Sequence, residues 1–246
     1  MLDLHAHFLP GVDDGPLLMA DTLALLRNAA AHGFQVMVAT PHNKDVWLKS
    51  SLPALRTLFE EVREAARQGN IPLELHLGME NHLEPDLPQR VDEGLALTLA
   101  ATRYILVELP FNQYPLYGDD TLFALQVRGL TPVIAHPERQ VDIQRRPQLL
   151  RALVERGMLA QVTGESITGE FGPEAQASVR TLLKQGLVHL MASDTHAPEG
   201  RRSPQLEKAV AAAAQLVGEQ RARALVEANP RAMLNGQEVS FPLPER

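Results

Sequence analysis

Thr131-Pro132-Val133-Ile134-Ala135-His136-Pro137 decides how this chain reads: a short apolar run, β-branched at its centre, ends on a histidine and a proline. Buried strands have this composition, and proline bounds them. The form recurs on both sides. Val36-Met37-Val38-Ala39 runs into Thr40-Pro41, Tyr104-Ile105-Leu106-Val107-Glu108 into Leu109-Pro110, and Leu190-Met191-Ala192 into Ser193-Asp194. The pattern predicts strands near 2–7, 35–41, 73–80, 104–109, 131–136, 159–163 and 188–194. Between them, helices are predicted near 19–32, 51–68, 86–93, 119–128, 145–156, 173–185 and 204–217, with short helices around 219–235. Gly33 suits the residue that closes a helix, and Pro53 the first turn of the next one. The repeat, roughly 35 residues, is the size of a βα unit. An α/β fold follows, with a parallel sheet covered by helices, either open and doubly wound or closed as a barrel. No glycine-rich phosphate loop follows the first strand, which weakens the nucleotide-binding form. A single domain over residues 1–246 is the simplest expectation.

The strand ends carry the chemistry. In order they read His5-Ala6-His7, Thr40-Pro41-His42, Gly78-Met79-Glu80, Val107-Glu108, Ala135-His136 and Ser193-Asp194-Thr195-His196. Such groups are costly at the end of a buried strand unless something pairs with them. Residues i and i+2 share a strand face, so His5 points with His7 and Asp194 with His196. Parallel strands place their C-terminal ends on one rim, where a barrel would gather these side chains in a cup. Asp14, in the loop Gly11-Val12-Asp13-Asp14-Gly15, reaches the same rim. The candidate metal ligands are therefore His5, His7, Asp14, His42, Glu80, Glu108, His136, Asp194 and His196. Four carboxylates crowded together repel, and divalent cations relieve this. Imidazole with carboxylate suits Mn²⁺, Zn²⁺ or Fe. Three such ions outweigh four carboxylates, and the positive surplus attracts a phosphate dianion. Arg139 and Arg201 follow the ligands His136 and His196 within one loop, and their planar forks match phosphate oxygens. Arg202 is the alternate for the second. His32, His76, His82 and His189 read as ordinary histidines, His82 being the nearest to the cup.

Composition narrows the classes. The chain has 246 residues, no cysteine, and 30 Asp+Glu against 23 Lys+Arg, a formal charge of −7. Disulfides, thiolate metal sites and a cysteine nucleophile are excluded. Net acidity argues against a nucleic-acid or anionic-membrane surface. Met1-Leu2-Asp3-Leu4-His5 does not read as a signal peptide, and no stretch is apolar enough for membrane insertion; the expected location is cytoplasmic.

These motifs resemble the PHP (polymerase and histidinol phosphatase) superfamily and, more closely, its bacterial protein-tyrosine phosphatases of capsule and exopolysaccharide loci. The matching pieces are Asp3-Leu4-His5-Ala6-His7, Leu9-Pro10-Gly11-Val12-Asp13-Asp14-Gly15-Pro16, Ala39-Thr40-Pro41-His42, Gly78-Met79-Glu80, Val107-Glu108-Leu109-Pro110, His136-Pro137-Glu138-Arg139, Ser193-Asp194-Thr195-His196 and the tail Glu227-Ala228-Asn229-Pro230. The segment 9–16 is the most specific, because PHP enzymes at large share the first motif but not that loop. Asn43 and Gln140 depart from the pattern, standing where relatives often carry a second histidine and an aromatic.

The resemblance implies a distorted seven-stranded (β/α) barrel of the PHP type and a three-ion site, with manganese as the expected metal. By analogy His5, His7, Glu80 and Asp194 hold one ion, Glu80, Glu108 and His136 a second, and Asp14, His42 and His196 a third. It also favours Arg201 over Arg202. The implied activity is metal-assisted phosphomonoester hydrolysis without a phosphoenzyme. The implied substrate is a phosphotyrosine protein, an autophosphorylated bacterial tyrosine kinase controlling polysaccharide export, and the oligomeric state stays open. The alternative is a PHP phosphoesterase for a small metabolite such as histidinol phosphate. An amidohydrolase is a weaker rival, since no lysine stands at a strand end. A non-catalytic PHP module is weaker still, since every ligand position is filled.

Overall fold

The computed structural model describes residues 1–239. Its elements run β1 (Leu2–Ala6), α1 (Met19–Ala31), β2 (Val36–Ala39), α2 (Asn43–Lys49), α3 (Leu52–Gln68), β3 (Glu74–Leu77), β4 (Glu80–His82), α4 (Leu87–Asp92), β5 (Tyr104–Glu108) and α5 (Gly118–Val127). They continue β6 (Thr131–Ala135), α6 (Val141–Arg145), α7 (Gln148–Glu155), β7 (Leu159–Thr163), α8 (Gly164–Thr168), α9 (Pro173–Lys184), β8 (Leu190–Ala192), α10 (Glu207–Val217), α11 (Glu219–Ala224) and α12 (Ala228–Leu234). The α/β alternation is as the sequence predicts. The strand count is not: eight strands stand in two parallel sheets, ordered β1-β2-β3 and β4-β5-β6-β7-β8, where seven were expected.

The extra strand comes from the segment expected as one strand over 73–80. It pairs with β2 as far as Leu77, passes Gly78 and Met79, and then pairs with β5 from Glu80 onward. Gly78 lies so close to Val38 and Leu99 that a Cβ there would stand 3.2 Å from each side chain. The chain changes sheets at this close approach. The two sheets meet at both ends through the C-terminal rim. On one side the Asp194 amide donates to the His5 carbonyl at 3.0 Å and the His7 amide to the Thr195 carbonyl at 2.8 Å. On the other, the Glu80 amide donates to the Pro41 carbonyl at 3.2 Å and His42 bridges to Glu80.

Alternation along the strands separates two apolar regions. Leu4, Val38, Tyr104, Leu106, Val133, Leu159 and Leu190 form one buried cluster. Their neighbours Met37, Ile105, Val107, Ile134, Ala160, Val162 and Met191 face the helices in a second, larger one. The helices dock by their own period: α3 buries Leu55, Phe59, Val62 and Ala66, and α9 buries Val179, Leu182 and Leu183. Each such leucine, valine or phenylalanine gains on the order of 2 kcal/mol from leaving water. Side chains at the rim therefore stand over a dry, low-dielectric floor. Among the described residues, no helix is long and apolar enough to cross a membrane.

Candidate metal centre

Register explains how the side chains reach the cup. Paired residues of parallel strands lie on the same sheet face. Asp3 pairs with Met37 and Ala6 with Ala39, so β1 has one residue more than β2 over the same span. This bulge re-aims His5, placing it beside His7 rather than on the helix side. Glu80 pairs with Leu106 and His82 with Glu108, which puts Glu80, His82 and Glu108 on one face. His136 and Asp194 have left-handed backbones, with φ of 30° and 53°. Non-glycine residues held there cost about 1–3 kcal/mol each, a strain that gathers at functional sites.

The nine expected residues converge. The His5 and His7 Nε2 atoms face each other at 3.2 Å. Glu80 Oε2 lies 3.2 and 3.4 Å from them, and Asp194 Oδ1 3.6 Å from both. His136 Nε2 is 2.8 Å from Glu80 Oε1 and 3.6 Å from Glu108 Oε1. Asp14 Oδ1 is 2.9 Å from His196 Nε2 and 3.6 Å from His42 Nε2. Groups whose donor atoms all lie within 4.8 Å of one another are His7–Asp14–His42–His196, His5–His7–Glu80, His5–His136–Asp194 and Glu80–Glu108–His136. A further one, His42–His82–Glu108, includes a histidine that the sequence reading set aside. His82 Nε2 is 2.9 Å from Glu108 Oε2. Its signal was its spacing of two from Glu80, which marked it as the nearest of the ordinary histidines to the cup while the strand was expected to end at residue 80.

The hydrogen bonding fits cations. His196 Nε2, His42 Nδ1 and Glu108 Oε2 are buried and make no hydrogen bond within the described residues. Yet the first is 2.9 Å from Asp14 and the second 3.0 Å from Glu80. Donor atoms brought this close without hydrogen-bond alignment suit a shared third partner between them. The opposite ring nitrogens are occupied. His7 Nδ1 is 2.6 Å from Asp13 Oδ2, His5 Nδ1 is 2.7 Å from Gln161 Oε1, and His196 Nδ1 is 2.8 Å from the Asp194 carbonyl. Acceptors at Nδ1 hold the proton there, so that Nε2 is the nitrogen each ring offers to a cation once it is itself unprotonated. Hard and borderline divalent cations match this mixture of imidazole and carboxylate.

Burial opposes charge throughout the cup, and the neighbours overcome it at some groups and not at others. Burial disfavours a protonated His7, but the Asp13 carboxylate outweighs it and raises the ring to about 9. Burial lowers His196 to about 4, with His7 adding to the effect. Burial would raise Glu80 and Asp194, but His5 and its neighbours hold both well below the usual carboxylate range.

Arginines close one side. Arg139 donates from Nη2 to Asp194 Oδ2 at 2.6 Å and to Thr163 Oγ1 at 2.7 Å. Arg202 reaches Asp194 Oδ1 at 3.1 Å and Asp14 Oδ2 at 3.3 Å. Arg201 instead stands over the Phe171 ring at 5.2 Å, and Arg139 covers that ring at 3.7 Å. Asp13, Gln161 and Glu138 were not singled out as site residues. Glu138 is buried and accepts from the Thr163 amide at 2.9 Å and Ser166 Oγ at 2.7 Å, which holds the segment between His136 and Arg139. Gly15 lets the first loop close: a Cβ there would meet the His7 carbonyl oxygen at 2.5 Å.

The chain is similar to known proteins. The tyrosine-protein phosphatase YwqE of Bacillus subtilis is 36% identical over 196 residues, covering 80% of this chain and 77% of its own. A solved chain from the crystal structures of YwqE from Bacillus subtilis and CpsB from Streptococcus pneumoniae, described as metal-dependent tyrosine phosphatases, superposes with a TM-score of 0.92. Its identity is 33%, and the match covers 100% of both chains. The lactonase Lmo2620 of Listeria monocytogenes shares the fold alone, at a TM-score of 0.57 and 13% identity over 96% of this chain and 95% of its own. Residues 1–235 match the family of capsular polysaccharide synthesis proteins CpsB/CapC, and the chain belongs to that family.

Proposed function

We propose that this protein is a metal-dependent protein-tyrosine phosphatase, a hydrolase of phosphoric monoesters that acts on an autophosphorylated bacterial tyrosine kinase in capsule or exopolysaccharide synthesis. The observation that carries this reading is the convergence of His5, His7, Asp14, His42, Glu80, Glu108, His136, Asp194 and His196 beside two arginines, in a chain without cysteine. Its likeness to YwqE supports the substrate class. We assign His5, His7, Glu80 and Asp194 to one cation, Glu80, Glu108 and His136 to a second, and Asp14, His42 and His196 to a third. Manganese is the proposed metal, cytoplasm the proposed location, and residues 1–246 one domain. The backbone bonds at both sheet seams support one distorted (β/α) barrel.

When bound, divalent cations lower the pKa of water and neutralise phosphate oxygens. The protein's own groups do the rest. Asp13, Gln161 and the Asp194 carbonyl orient the histidine rings. Arg139 and either Arg201 or Arg202 offer planar donors to the non-bridging phosphate oxygens. A phenolate leaves with a pKa near 10, so departure needs less proton donation than an alkyl alcohol would. The test is phosphate release from a phosphotyrosine peptide, with small alkyl phosphates alongside, before and after EDTA treatment. Activity should vanish on metal removal and return with Mn²⁺. Unchanged turnover after complete metal removal, or a preference for small alkyl phosphates, would refute the proposal.

A further inference from the structure

We infer that Phe111 is the wall against which the ring of an aryl phosphate stacks, so that this residue sets the preference for aryl over alkyl monoesters; the inference rests on the phosphatase function proposed above. Phe111 follows Glu108 by three residues, in the loop leaving β5 at the rim. Its ring lies nearly parallel to that of His136, with centroids 5.5 Å apart and planes inclined by 18°. His136 belongs to the Glu80–Glu108–His136 group. Phe111 is nevertheless 43% exposed. An aromatic ring that flanks a candidate ligand while remaining open to solvent has apolar surface left for a partner.

Position and rigidity favour a binding role. The Val141 amide donates to the Phe111 carbonyl at 2.9 Å, and Gln140 Nε2 to the Pro110 carbonyl at 3.3 Å. The Tyr114 amide donates to Asp142 Oδ2 at 2.9 Å just beyond. The loop is thus held in place before any substrate arrives, which lowers the entropy lost on binding. Gln140, a departure from the family pattern, is one of the residues that hold it. In an aryl phosphate the ring stands one bridging oxygen from phosphorus. With the phosphoryl group beside His136 and Glu108, that ring falls next to Phe111, where offset stacking is available. An alkyl ester has no flat face to offer.

The experiment uses the full chain loaded with Mn²⁺ and compares the wild type with Phe111→Leu, Phe111→Met and Phe111→Tyr. Two readouts are taken: kcat/KM on phenyl phosphate and glycerol phosphate, and calorimetric binding of phenylphosphonate and methylphosphonate. Leu and Met keep apolar cover over His136 but remove the flat face. They should lower the aryl-to-alkyl ratio of kcat/KM about fivefold, chiefly through KM, and shrink the phenylphosphonate advantage alike, while Tyr keeps both within about twofold. A wild-type aryl preference that survives unchanged in the Leu and Met variants overturns the inference alone. Equal losses on both substrates overturn it too, since the ring would then serve only as cover. A wild type without aryl preference overturns the inference and the proposed function together.

Discussion

Asp13 is the residue whose role changes most on inspection. Its neighbour Asp14 is the expected ligand, yet Asp13 is the more deeply placed. It accepts from the Gly15 amide at 3.1 Å and the His42 amide at 3.2 Å, and meets His7 Nδ1 at 2.6 Å. One carboxylate thus fixes the first loop, the entry to α2 and a ligand ring. Because it raises His7 to about 9, the metal-free ring is protonated at neutral pH, and a cation must displace that proton. Metal affinity should therefore strengthen as pH rises from 7 to 9. Asp13→Asn removes that contribution, while His42, raised to about 9 by Glu80 against its burial, keeps its own, so the rise above pH 7 should become shallower without vanishing. At pH 9, where proton competition has faded, the variant should bind Mn²⁺ about 10- to 100-fold more weakly through loss of ring orientation. Competition titration with a chelating dye at pH 7, 8 and 9 measures both effects.

At the scale of elements, the join between β1 and the end of β8 decides where the ligands point. Asp3 is fully buried and accepts from the Ser193 amide at 3.2 Å, the His5 amide at 3.3 Å and the Ser193 hydroxyl. Burial raises its carboxyl to about 6 despite those donors. Asp3→Ala would leave the donors buried and unpaired, at a cost of about 2–3 kcal/mol, while Asp3→Asn retains an acceptor and should cost about half as much. Urea unfolding at pH 7 with EDTA present measures this difference without the metal's contribution. The same element explains a limit of pattern reading. Strict alternation pairs His5 with His7, which holds. It places neither residue relative to the rest of the strand, because the bulge between Asp3 and Ala6 is set by pairing with β2. His82, nearest to the cup, still reads as an ordinary histidine for a related reason: only the transfer of the chain from β2 to β5 at Gly78 reveals that a strand begins at Glu80.

For the whole molecule, His189 ties stability to pH. It stands just before β8 at the end remote from the cup, with its Nδ1 accepting the Ala160 amide at 3.2 Å. Burial, with Arg221 nearby, lowers its pKa from 6.5 to about 4. Between those values the unfolded chain holds a proton that the folded chain refuses. Its contribution is complete above pH 6.5 and is lost as pH falls toward 4, reaching about 3 kcal/mol. His189→Asn retains an acceptor and removes the titration. In EDTA, its urea midpoint should fall less than that of the wild type between pH 7 and 4.5. Equal falls in both proteins would assign the acid sensitivity to the cup alone.

The alternation of short apolar strands with helices, and the polar residue closing each strand, were legible in the order of residues, because burial imposes composition locally. His5, His136 and Asp194 could be picked out for the same reason: a charged or polar group at the end of a dry strand is conspicuous wherever it folds. Tertiary structure alone decided that the 73–80 segment splits between two sheets, that His82 joins the cup, and that Arg202 rather than Arg201 touches Asp194. Each of these depends on backbone pairing and loop path between segments far apart in sequence. Local composition carries no record of such distances.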